Sequence, residues 1–90
     1  MKKLTAKSLR AGQTVWYARL KSFDVATFEL GRAFLLSDKA PMPPYGELAE
    51  SYPRKHIRDS VARWGADPGM SYSRRKVLRW IAEYNLREQQ

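Results

Sequence analysis

The fold of this chain is decided by residues 14–30, TVWYARLKSFDVATFEL. The first part of this stretch is rich in β-branched and aromatic side chains, which favour an extended strand. After a short connection, residues 25–30 alternate and place Ala26, Phe28 and Leu30 on one face of a second strand. The two strands predict an antiparallel hairpin.

The residues on either side of this hairpin predict a short helix before it and more sheet after it. Residues 4–12 predict one or two helical turns, which Thr5 caps and Gly12 ends. After Gly31, residues 32–36 either extend the second strand past a bulge or form a third strand. We therefore expect an antiparallel sheet of two or three strands.

A proline-rich loop is predicted next, over residues 37–53, which contain four of the five prolines. Proline fixes its own backbone and restricts the residue before it, so this segment is a poor strand or helix. Because the loop is longer than most connections, we expect it to cover the sheet with Met42, Tyr45 and Leu48. A covering role is favoured over a binding loop.

Two amphipathic helices are predicted in the C-terminal half of the chain. Ile57, Val61 and Trp64 recur at helical spacing and predict a helix over residues 53–64, with Trp64 packed in the core. Residues 73–87 give the strongest helical pattern, because apolar side chains fill one sector and charged side chains the opposite one.

Residues 66–69 separate these helices, and the succession of Pro68 and Gly69 predicts a type II turn. Together the elements predict an α+β fold, in which a small antiparallel sheet carries one or two C-terminal helices packed on it. At this length, residues 1–90 are expected to form a single domain.

Composition excludes several kinds of chemistry. The chain has no cysteine and one histidine, His56, so disulfide frameworks, zinc knuckles and thiol catalysis are excluded. No close carboxylate pair, glycine-rich phosphate loop or nucleophile elbow occurs. We therefore predict a protein that is not an enzyme and has no metal site or cofactor. Because no export signal or membrane span is visible, a cytoplasmic location is expected.

The distribution of charge is more informative. The chain carries a formal net charge of +8, from 17 Lys and Arg against 9 Asp and Glu. Residues 54–79 hold eight Lys and Arg against two Asp, so this segment accounts for +6 of that charge. A charge that served only solubility would be spread more evenly. A local excess of arginine instead suits a partner with phosphate or carboxylate groups.

The start of the last helix breaks a local electrostatic rule. If Ser73 caps this helix, Arg74, Arg75 and Lys76 occupy its first turn. There the helix dipole disfavours each cation by about 0.3–1 kcal/mol. An anion held by these side chains and by free backbone N–H groups would explain the arrangement. Alternatively, the side chains extend into solvent or pair with neighbouring aspartates.

The predicted function is a small non-enzymatic nucleic-acid-binding module that contacts the phosphates of DNA or RNA without sequence preference. The candidate residues for anion and nucleic-acid binding are Arg54, Lys55, Arg58, Ser73, Arg74, Arg75, Lys76 and Arg79. Tyr17 and Tyr72 are the candidates for stacking on bases. The alternative is an adaptor or inhibitor that docks on an acidic protein surface. A third hypothesis is an apolar homodimer interface around Phe23, Phe28 or Phe34.

The N-terminal part of the chain also carries a resemblance to known proteins. Residues 9–17, LRAGQTVWY, followed by a second strand, resemble the opening of small SH3-like barrels, in which a glycine precedes the first strand. This resemblance covers residues 9–36 and implies a barrel-like hairpin. The size, the basicity and the SRRK helix start at residues 73–76 are similar to those of short accessory proteins of phages and prophages. That likeness implies no particular functional residue.

Overall fold

The fold is known from a computed structural model that describes residues 3–22, 27–44 and 49–88. Its elements are a 3₁₀ turn (Ala6–Ser8), β1 (Thr14–Ser22), β2 (Thr27–Leu36), β3 (Ser51–Pro53), α1 (Arg54–Trp64), β4 (Met70–Ser71) and α2 (Arg74–Glu88). The predicted α+β class is confirmed, as are the hairpin and both C-terminal helices.

The strands form a four-stranded sheet in the order β3-β2-β1-β4. β1 and β2 are antiparallel, with Val15 opposite Ala33 and Tyr17 opposite Gly31. β4 adds an antiparallel edge to β1, whereas β3 pairs with β2 in parallel. The prediction of a purely antiparallel sheet of two or three strands was therefore wrong in size and in strand direction. Within the described residues the sheet has two edges and is open.

β2 runs through Gly31 without a bulge, so residues 32–36 extend the second strand. Glycine occupies this position because the ring of Tyr17 lies directly above it. A Cβ added to Gly31 would lie 2.6 Å from Cζ of Tyr17. The glycine thus permits a close approach between two central strands and does not interrupt them.

One face of the sheet is covered by α1 and the 3₁₀ turn. Val15, Ala33 and Leu35 point to this face and are fully buried, in a cluster with Ile57 and Val61 of α1. Side chains alternate along each strand, so the residues between them point to the other side. This cluster is the larger core of the protein.

The opposite face of the sheet is covered by α2. Phe28, which points to this face, has its ring centroid 5.3 Å from that of Trp80 and 5.0 Å from that of Tyr84. Val77 and Ile81 of α2 are also buried. The sheet is therefore the middle layer, and the two predicted helices pack on opposite sides of it.

Asn85 of α2 closes part of the outer edge of β2. The N–H of Phe28 donates to Oδ1 of Asn85 at 3.0 Å, and Nδ2 of Asn85 donates to the carbonyl oxygen of Phe28 at 2.9 Å. β3 pairs with β2 only at residues 34–36. The carboxamide supplies the donor and acceptor that a neighbouring strand would supply, and it covers an edge that could otherwise pair with another chain.

We expect Asn85→Leu to lower the free energy of unfolding by about 1–3 kcal/mol, because it leaves the N–H and C=O of Phe28 partly buried without partners. Urea denaturation followed by circular dichroism measures this change. Leu86→Ala is the matched control, because Leu86 is on the next, solvent-facing position of the same helix. Equal losses in both variants would show that the Asn85 carboxamide contributes nothing.

The helix starts and turns differ in detail from the prediction. Thr5 caps as expected, since its Oγ1 accepts from the N–H of Ser8 at 3.2 Å, but only one 3₁₀ turn follows. Gly65 has positive φ where the chain leaves α1, but Gly12, also with positive φ, lies in the turn before β1 and does not end the first helix as predicted, because that helix ends at Ser8 with Leu9 as its C-cap. Gly69 does not have positive φ, so the predicted type II turn, which needs positive φ at the glycine that follows Pro68, is not formed.

The predicted covering loop was partly wrong. Residues 51–53 form β3, and Met42 is half-exposed, so it does not cover the sheet. Tyr45 and Leu48 lie outside the described residues. Trp64 is exposed and not packed in the core as predicted, since residues 62–65 at the end of α1 are all exposed. Among the described helices, none is long and apolar enough to cross a membrane.

Candidate functional site

The cations predicted to form one binding site lie on two sides of the protein. Arg54, Lys55 and Arg58 are on α1, whereas Ser73, Arg74, Arg75, Lys76 and Arg79 are at or near the start of α2. Since α1 and α2 cover opposite faces of the sheet, the two groups do not meet. A single track that passes over all the predicted residues is therefore not formed.

Two of the three α1 cations are engaged within the fold. Arg54 holds Asp38 through two hydrogen bonds, from Nη2 to Oδ2 at 2.6 Å and from Nε to Oδ1 at 3.1 Å. The hydrogen bond from Arg54 lowers the pKa of Asp38, and the same bond raises the pKa of Arg54. Arg58 pairs with Asp59 at 3.2 Å. Arg54 thus has a carboxylate in place of an external anion, whereas the exposed Arg58–Asp59 pair is weak enough for an anion to compete for Arg58.

Serine side chains order the start of α2. The Oγ of Ser73 accepts a hydrogen bond from the N–H of Lys76 at 3.3 Å, which makes Ser73 the N-cap that the sequence predicted. The Oγ of Ser71, at the end of β4, accepts from the N–H of Ser73 at 3.0 Å. The helix therefore begins at a fixed point next to the sheet.

The cations in the first turn of α2 have no acidic partner. Arg74, Arg75 and Lys76 are exposed, and among the described residues no carboxylate oxygen lies within 4.0 Å of their charged groups. The pairing with neighbouring aspartates that was considered from sequence is not formed. These positive charges therefore stand uncompensated at the positive end of the helix dipole.

Arg74 lies over an aromatic side chain of the sheet. Its guanidinium carbon is 5.8 Å from the ring centroid of Trp16, which is within the range of a cation–π contact. Trp16 lies directly opposite Arg32 in the hairpin, so both side chains point toward the α2 side. Neither Trp16 nor Arg32 was a predicted site residue.

These side chains border a cleft of about 290 Å³, called here the β1–α2 cleft. It is lined by Trp16, Arg19, Leu30, Gly31, Arg32, Glu50 and Arg74. Its acidic residue, Glu50, pairs with Arg32 at 2.8 Å, and both side chains are half-exposed or more. Exposed pairs of this kind are worth about 0–1 kcal/mol, so an incoming anion can compete for Arg32.

The predicted stacking residues, Tyr17 and Tyr72, belong to the other side of the sheet. Tyr17 is half-buried over Gly31, and burial, followed by the neighbouring Tyr52, raises its pKa. The hydroxyl of Tyr72 lies 2.7 Å from Oγ of Ser8. Both rings pack against the larger core. The aromatic ring that Arg74 contacts is that of Trp16, whereas Trp80 lines a separate cleft with Lys76 and Arg79.

The other residues considered from the sequence are His56 and the phenylalanines of the proposed dimer interface. His56 is exposed on α1, and its ring stacks on Tyr52 with centroids 5.5 Å apart. Within the described part of the chain, no cluster of three or more metal-ligating side chains occurs. Of the proposed dimer residues, Phe28 packs under α2, Phe34 is 41% exposed and Phe23 lies outside the described residues.

Comparison with known proteins does not assign this chain to a family. No protein-family model matches the chain, and no curated protein or solved structure matches it significantly. The resemblances to SH3-like barrels and to phage accessory proteins stay predictions, and the candidate site depends on the geometry of this chain alone.

Proposed function

We propose that this chain is a small non-enzymatic nucleic-acid-binding module, whose contact surface is the first two turns of α2 together with the β1–α2 cleft. The observation that carries the proposal is the position of Arg74 over Trp16, beside further cations that have no carboxylate partner. Cations next to an aromatic face are the combination that single-strand-binding proteins use.

The two parts of this surface have different roles. Arg74, Arg75, Lys76 and Arg79 contact backbone phosphates, which gives affinity without sequence preference. Trp16 and the guanidinium of Arg74 offer planar surfaces on which an unpaired base stacks. The positive end of the α2 dipole favours the phosphate charge further.

The triple variant Arg74→Ala, Arg75→Ala and Lys76→Ala tests the proposal. Loss of these phosphate contacts is expected to weaken binding by about 10²- to 10³-fold near 50 mM salt, and to lower the log–log salt slope by about 2 for a single strand. Fluorescence anisotropy with a labelled single strand and a labelled duplex, between about 50 and 200 mM salt, measures both quantities. The melting temperature is expected to stay or rise, because unfavourable cations leave the helix start.

The matched control removes the same charge elsewhere, with Lys7→Ala, Lys21→Ala and Lys39→Ala, which are exposed lysines outside α2. A smaller loss of binding affinity is expected in this control. Equal losses of affinity in the two triple variants would show that binding depends on net charge and not on the position of the cations. If the unaltered chain binds neither nucleic acid at low salt but retains a protein from nuclease-treated lysate, the alternative of an adaptor on an acidic protein surface replaces this proposal.

A further inference from the structure

A second surface, on the far side of the sheet, is marked by Trp64 at the end of α1. Its side chain is 78% exposed, the largest exposed fraction among the large hydrophobic residues described. A tryptophan gains more from burial than most side chains, and a ring left in solvent beside a cleft is typical of a contact site. Such a cleft, of about 300 Å³, lies alongside and is lined by His56, Asp59, Ser60, Arg63 and Trp64.

The charge around Trp64 indicates what this surface binds. Arg63, next to Trp64 in the last turn of α1, is exposed, and among the described residues no carboxylate oxygen lies within 4.0 Å of its guanidinium. The helix carries four Lys and Arg against one Asp. A second copy of this chain, with its net charge of +8, would meet like charge here. An anionic partner with a planar group fits both the cations and the exposed ring.

The position of Trp64 sets it apart from the β1–α2 cleft. Trp64 belongs to α1, on one face of the sheet, and the cations of α2 belong to the other. The two surfaces face away from each other across the middle layer, so a short strand contacts only one of them. Occupation of both surfaces requires two segments of nucleic acid.

We propose that the Arg63–Trp64 surface binds a second segment of single-stranded nucleic acid, so that one molecule of this chain bridges two segments. This inference rests on the proposed function. An exposed indole stacks on an unpaired base, whereas bases inside a duplex are covered by their neighbours. Arg63, which lines the same cleft as the ring, supplies a phosphate contact beside it.

Bridging is tested with two different single strands of about six nucleotides, a length within the usual site size of one small domain. One strand is immobilised and the other carries a fluorophore. The unaltered chain is expected to capture the labelled strand and to bind two strands per molecule in a titration. In the Arg63→Ala, Trp64→Ala variant, capture of the second strand falls by about tenfold or more, which corresponds to one lost stacking contact.

Two further variants separate the loss of stacking from the general effect of removing an exposed apolar side chain and a cation. Leu86→Ala with Arg87→Ala removes one exposed apolar side chain and one cation from the end of α2, and it is expected to leave capture within about twofold. Trp64→Phe keeps an aromatic face and is expected to restore part of the capture. Because all four altered residues, Arg63, Trp64, Leu86 and Arg87, are exposed, these variants should keep the unaltered melting temperature.

Other outcomes would refute bridging, and they show separately whether the proposed function holds. Binding of one strand per molecule without co-capture refutes bridging but leaves the α2 surface intact. Failure to bind any strand refutes both proposals. If sedimentation shows a dimer of the unaltered chain and a monomer of the Arg63→Ala, Trp64→Ala variant, the exposed ring serves self-association and not nucleic acid.

Discussion

Gly31→Val is expected to lower the free energy of unfolding by about 3 kcal/mol, because it forces extra volume into a well-packed site. A Cβ at this position would lie 2.6, 2.7 and 2.9 Å from three ring atoms of Tyr17. Backbone strain contributes nothing here, since Gly31 does not have a positive φ. The loss comes from the clash alone, and Tyr17 must leave its place in the core to relieve it.

A double-mutant cycle isolates this clash. In a Tyr17→Ala background the ring is gone, and Gly31→Val is expected to cost less than about 1 kcal/mol, so the two changes are strongly non-additive. Gly69→Ala is the control, because a Cβ there meets only the Cβ of Ala18, at 3.9 Å. Urea denaturation of the four cycle members gives the coupling free energy. Additive losses would show that Tyr17 does not lie over Gly31.

Local sequence patterns predicted the elements of this fold well, because alternation, caps and helical periodicity are properties of short segments. They did not predict β3, which has three residues and pairs in parallel with the far end of β2. A segment of that length carries no period of its own. Its strand conformation comes from the backbone of residues 34–36, which tertiary folding brings alongside it.

Periodicity also reports the direction of a side chain without reporting what lies opposite it. Trp64 falls on the same helical sector as Ile57 and Val61, and it was therefore predicted to be buried. Both of those residues are buried in the larger core, whereas residues 62–65 at the end of α1 are all exposed. The helix prediction was therefore correct, but it did not reveal that the tryptophan on which the bridging proposal depends is exposed.

The candidate site was found only in part for a similar reason. The sequence located the charge at the start of α2, and Ser73 does cap that helix. It gave no sign that α1 and α2 lie on opposite faces, which divides the predicted track. Trp16 and Arg32 could have been found from the hairpin register, since residues paired across strands share a face.

The sheet separates the larger core from the candidate nucleic-acid-binding surface. The larger core lies on the α1 side of the sheet, whereas the β1–α2 cleft lies on the other side. A substitution that reduces stability through the larger core should therefore leave the phosphate-binding cations in place for as long as the chain stays folded. Stability and nucleic-acid binding are then separable by measurement.

Leu35→Ala is the sharpest test of that separation. Leu35 is fully buried in β2, its N–H donates to the carbonyl oxygen of Gln13 at 2.9 Å, and its own carbonyl oxygen accepts from Gly12 at 2.7 Å. The residue thus packs where β1, β2 and β3 meet. Truncation is expected to lower the free energy of unfolding by about 3–4 kcal/mol. For a domain of this size that loss lowers the melting temperature by roughly 15–25 °C.

Met42→Ala is the matched control, because Met42 is half-exposed and its truncation should change stability by less than about 0.5 kcal/mol. Anisotropy with a single strand is measured well below both melting temperatures. Leu35→Ala is expected to keep its affinity within about twofold there, since no cation of α2 loses a neighbour. If affinity falls together with stability, the two faces of the sheet are coupled, and the loss of binding in α2 variants must be corrected for unfolding before it is assigned to lost phosphate contacts.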